Sequence, residues 1–136
     1  MIYIPEASRV ALVLRLLNTN ALDVKLYTAM SGALGDDTQV AGSFTEMSTM
    51  GYAAKAIAAT TGWSAATPAA NVPVAGAAAQ QTWTFTGGTL VNVLGYYVTD
   101  HSSGALQWFE PFASAKPIQN NGDQIIITPT FTLYRA

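Results

Sequence analysis

Residues 81–112 read QTWTFTGGTLVNVLGYYVTDHSSGALQWFEPF, and this stretch decides the fold class. Trp83 and Phe85 fall on one side of a period-two alternation, with Thr82, Thr84 and Thr86 on the other, the pattern of a strand with one buried face. Gly87-Gly88 follows and reads as a hairpin-turn pair, because glycine reaches positive φ at low steric cost. Leu90 to Thr99 is a nearly continuous run of apolar, β-branched and tyrosine residues, which predicts a central strand. Asp100-His101-Ser102-Ser103-Gly104 has turn chemistry, and Ala105 to Phe112 resumes as a strand with Leu106, Trp108 and Phe112 in step.

The pattern continues on both sides. Asn120-Asn121-Gly122-Asp123 is a strong turn signal, and Gln124 to Tyr134 alternates as one further strand, in which Pro129 removes a ladder donor and so predicts an edge position or a bulge. Upstream, Leu22, Val24 and Leu26 alternate with Asp23, Lys25 and Tyr27 in a half-buried strand running to Thr28. Phe44-Thr45-Glu46 reads as a short strand or an extended loop. Tyr52 to Ala58 fits strand or, by its alanines, helix, with Gly51 before it and Gly62-Trp63 after it favouring strand. Trp63 to Ala79 is a loose Ala- and Pro-rich segment holding one short strand. Pro5 to Leu17 is the one predicted helix: proline suits a first turn, Glu6 suits the dipole there, and Val10, Val13, Leu14 and Leu17 recur at helical spacing. Strands at 8–12-residue spacing with polar turns define a β-sandwich or jelly roll. The expectation is a mainly β, single-domain antiparallel sandwich over residues 1–136, with a possible arm at 1–4, a helix at 5–17 and a sheet-forming region at 22–134.

Composition narrows the function. Only 10% of the 136 residues are charged, against roughly a quarter in an average domain, while 50% are hydrophobic. A net charge of −2 gives no electrostatic footprint for nucleic acid or acidic lipid, so neither is expected as a partner. With no cysteine, thiol catalysis, disulfides and Cys-based metal sites are excluded. The apolar run Val10 to Leu17 is broken by Arg15 and is far shorter than the roughly 20 residues a membrane helix needs. Met1-Ile2-Tyr3-Ile4-Pro5-Glu6 lacks the basic start of a signal peptide, so use without secretion is expected. A surface made of Thr, Ser, Gln, Asn and Ala suits a protein that spends its life packed inside an assembly.

Residues with catalytic chemistry are few and scattered. The single histidine, His101, has Asp100, Ser102 and Ser103 beside it, yet neighbours in one turn cannot form the in-line relay of a catalytic triad. Among eight carboxylates, Glu110 is the most interesting, lying between Trp108 and Phe112; an outward position with an Arg or Lys partner is the expectation. Asp36-Asp37 offers too few regularly spaced ligands for calcium, and Gly87-Gly88 lacks the lysine and following helix of a phosphate loop. Trp63, Trp83, Trp108, Tyr96 and Tyr97 are expected in the core, with a sugar-stacking surface the alternative for one or two of them. No catalytic residue, cofactor or metal is expected.

Gly95-Tyr96-Tyr97-Val98-Thr99-Asp100, Ser103-Gly104-Ala105-Leu106, Trp108, Glu110, Phe112, Asn121-Gly122-Asp123 and Thr128-Pro129, with Leu22 to Thr28, Phe44-Thr45-Glu46 and Gly51-Tyr52 upstream, occur in an order that resembles small virion proteins of tailed bacteriophages. The likeness spans most of the chain, although each motif alone is structural. It implies a structural part of the particle, most like a capsid decoration (cement) protein: a homotrimer assembled in the host cytoplasm that binds the major capsid protein on the outer shell. The candidate contacts are the arm Met1, Ile2, Tyr3 and Ile4, then Leu34, Val40 and Phe44 in the region 29–49, and Val72 and Val74 in the segment 65–79. The rival expectations are a tail-fibre or receptor-binding module reading host glycans and a virion-associated hydrolase.

Overall fold

The structure, a computed structural model, describes residues 6–33, 38–64 and 74–133. In chain order it runs α1 (Glu6–Thr19), β1 (Leu22–Met30), a 3-10 turn (Ala41–Ser43), β2 (Phe44–Glu46), β3 (Lys55–Ile57), β4 (Val74–Ala77), β5 (Gln81–Thr86), β6 (Val91–Asp100), β7 (Leu106–Ile118), β8 (Asn121–Ile127) and β9 (Thr130–Leu133). The result is a mainly β, antiparallel, sandwich-like fold with an N-terminal helix, as the alternation predicts.

The largest sheet has the order β2-β1-β6-β7, with β3 also paired to β1. β2 takes the Tyr27–Met30 end of β1 and β3 the Leu22–Val24 end, while β6 pairs along Leu22 to Tyr27. The two other sheets are the pairs β5-β8 and β4-β9. Leu22, Val24, Leu26, Val93, Tyr96 and Val98 from the large sheet meet Trp83, Phe85 and Ile125 from β5 and β8 in one core. Val13 and Leu17 of α1 close that core beside β4 and β9.

The central position of β6 follows from its composition. Residues 95–100 are all buried, so both faces are covered, and a near-continuous apolar strand is what two covered faces require. In β1 four of nine residues are buried, Leu22, Val24, Leu26 and Tyr27. Its three aliphatics face the main core, whereas Tyr27 joins Phe44 and Tyr97 in a second, smaller cluster on the opposite face.

Three expectations are corrected. Gly87-Gly88 does not turn a hairpin: β5 pairs with β8, and β6 leaves for the other sheet. The glycines form a corner between layers, where Gly87 has φ +79° and a Cβ would come within 2.6 Å of the Asn121 amide nitrogen. The strand expected over 124–134 is two strands, divided at Thr128-Pro129, with β8 pairing to β5 and β9 to β4. Pro129 is fully buried, and its carbonyl accepts the Ala78 N–H at 2.9 Å. Finally, β7 does not stop at Phe112 but runs to Ile118 across an irregularity. Between the pairs Val93–Lys116 and Gly95–Pro111, β6 advances two residues while β7 advances five. Two prolines fit this strand because it ends the sheet and need not donate outward.

Candidate functional site

The expected turn at 100–104 is organised by Asp100. Its Oδ1 accepts from the backbone N–H groups of Ser102 (3.0 Å) and Ser103 (2.8 Å) and from both serine hydroxyls, and Oδ2 accepts from the Asn20 side chain at 2.8 Å. These bonds, led by the Ser103 backbone, hold its carboxyl well below the usual carboxylate range. His101 points elsewhere, with Nδ1 2.8 Å from Asp23 Oδ1. Both serines therefore face Asp100, and His101 faces another strand, so the turn does not assemble a Ser/His/Asp relay.

Glu110 has a different partner from the one expected. The Tyr96 hydroxyl donates to its Oε2 at 2.6 Å, in place of an Arg or Lys. Tyr96 is 3% exposed, and burial, followed by the neighbouring carboxylate, pushes its phenol well above the ordinary tyrosine value. The pair lies at a cleft of about 480 Å³ between β7 and β8, lined also by Phe112, Lys116, Gln124 and Ile125 to Thr128. Among the described residues Glu110 and Lys116 form no ion pair, although both line it.

A second polar group was not foreseen. Glu46 accepts the Tyr52 hydroxyl at 2.9 Å and the Tyr97 hydroxyl at 3.4 Å, and lies 3.4 Å from Lys25 Nζ. Tyr52 in turn accepts the Leu26 N–H at 3.0 Å. Burial first, then the Glu46 charge, pushes the Tyr97 phenol up to about 12. The sequence signal was faint: Glu46 and Tyr52 sit six residues apart on pieces too short for any periodicity to set their facing. This group rims the smaller aromatic cluster, where Phe44 stacks on Tyr97 (4.8 Å between centroids), meets Tyr27 edge-on and tilts against Phe109. Met30, Leu94, Leu106 and Phe109 surround it and are only partly buried.

Of the expected interface residues, Met1, Ile2, Tyr3, Ile4, Leu34 and Val72 lie outside the described residues, as does the side chain of Val74 in β4. Val40 is 60% exposed at the lip of a hollow of about 400 Å³ shared with Gly42, Gly104 and Leu106. Phe44 is 7% exposed, its ring packed inside the aromatic cluster. The aromatic platform is not present among the described residues, since Trp63, Trp83, Tyr96 and Tyr97 are all buried and Trp108 packs against the core. Among the described residues no group of three or more His, Cys, Asp or Glu is placed to hold a metal, and no helix is long and apolar enough to cross a membrane. Compared with known proteins, the chain matches no protein family, no curated protein and no solved structure.

Proposed function

We propose that this chain is a structural, non-catalytic virion protein of a tailed phage, binding and stabilising the outer capsid surface as a decoration protein. The observation that carries the reading is the two-sided central sheet. One face of β1 and β6 is closed by the protein's own core; the other ends in the aromatic cluster, whose rim of Met30, Leu94, Leu106 and Phe109 stays partly open. A partly open apolar rim on a chain with so few charges suits close packing against neighbouring chains. A cement protein needs a scaffold and a contact face, and the closed core on one side of the sheet with the partly open rim on the other supports that reading. The major capsid protein and two sister copies are the partners of this reading. A cryo-electron map of the particle tests it: density at many positions on the outer shell is expected, and density confined to the tail tip would sink it. Sedimentation of the isolated protein should show a trimer, and stable dimers alone would count against the trimeric form.

A further inference from the structure

β7 and β8 follow one another through a turn but do not pair; among the described residues each is paired with one neighbour, β6 and β5 respectively. The 480 Å³ cleft lies between these two strands. Its two walls are unequal. β7 carries Pro111 and Pro117, which remove donors, whereas β8 has no proline from Asn121 to Ile127 and keeps a full set of N–H and C=O groups. Ile126 in β8 is 51% exposed, and a proline-free apolar edge is a template for another strand unless something covers it.

The geometry points to this cleft as a strand-accepting site, in which an extended segment of a partner polypeptide adds to the edge of β8 that faces away from β5, unpaired among the described residues, and lies against β7. The wall chemistry selects that occupant: a strand edge presents alternating backbone donors and acceptors, which an extended peptide backbone complements along its whole length. Charge selects further. Glu110 and Lys116 occupy different positions along β7; among the described residues the first is held by the Tyr96 hydroxyl alone and the second has no ion pair. The bound segment therefore places a cation beside Glu110 and an anion beside Lys116, with apolar side chains toward Phe112 and Ile125. This site is independent of any address on a virion.

The test uses the full chain and two synthetic heptapeptides, Lys-Val-Thr-Val-Thr-Val-Glu and the same peptide with its end charges exchanged. Residue-resolved hydrogen exchange should show the β8 amides that point away from β5 slowed about tenfold or more by one peptide, with a clear preference between the two. Lys116→Glu, an exposed change, should abolish that preference while the protein stays folded. Unslowed β8 amides at saturating peptide would overturn the proposal, as would slowing confined to another strand edge. Slowing that follows protein concentration and ignores the peptide would also overturn it, since the occupant would then be a second copy of the chain.

Discussion

A tyrosine hydroxyl donates once and also accepts, and Tyr52 does both, taking the Leu26 N–H and giving its proton to Glu46. Tyr52→Phe leaves a backbone donor on a central strand without its acceptor, a loss of about 1–3 kcal/mol, to be read from denaturant unfolding. Asp100 and Asp123 give the acid side of the stability curve. Asp123 accepts the Gln119 and Asn120 N–H groups at 2.8 and 2.7 Å, and like Asp100 it titrates below its ordinary 3.8. A carboxyl lowered by folding stabilises the native state above its unfolded pKa and loses that contribution as pH falls through the folded value. Thermal melts should therefore weaken below about pH 3.8, and Asp100→Asn should melt lower at neutral pH and flatten that acid slope. The phenols act in the opposite direction. Tyr97, Tyr96 and Tyr52 are raised above 10.0, so their contribution is present below pH 10 and lost as pH rises through the folded values. Phenolate absorbance should show a late-titrating class, with Tyr97 at about 12.

Among the elements, those defined by their own alternation were legible and those defined by partners were not. β5 is printed in Trp83 and Phe85 against three threonines, and the centrality of β6 in its unbroken apolar run. Nothing in Gly87-Gly88 tells a hairpin from a corner between layers, because both demand positive φ. The difference lies in which strand β5 meets, and that strand begins at Asn121. Pro129 was a correct warning of a broken ladder but did not say that the two halves serve different sheets. Gly95 shows how tightly β6 and β7 meet: an added Cβ would strike the Glu110 carbonyl and lie 2.7 Å from the Tyr27 hydroxyl and 2.8 Å from Pro111 Cα. Gly95→Ala should cost about 1–3 kcal/mol, whereas Gly104→Ala meets no neighbouring atom and should be penalised only for its φ of +71°. Comparing the two melting midpoints separates crowding from conformation.

At the scale of the whole molecule, the sandwich-like class and the N-terminal helix followed from periodicity, whereas the candidate sites did not. Glu46, Tyr52 and Lys25 come from three separate elements or loops, and only tertiary pairing brings them together. Phe44 is a candidate contact with the rest of the region 29–49, and its ring packs in the second cluster. Val40 is the better probe of the proposed shell contact. Val40→Glu, at a side chain 60% exposed, should leave stability within about 0.5 kcal/mol and lower occupancy on the shell. Unchanged occupancy would take this lip out of the contact surface.

The pairing of β1 with β6 has a further consequence, for synthesis. Tyr27 meets Gly95 and Leu22 meets Asp100, so the sheet's centre joins residues that leave the ribosome far apart in time. Until β6 emerges, β1 waits with one long edge bare, able to pair only with the short β2 and β3. Such distant pairing makes folding slow, on the scale of milliseconds to seconds, and leaves the nascent chain most exposed to chaperones and to its neighbours between residues 30 and 100.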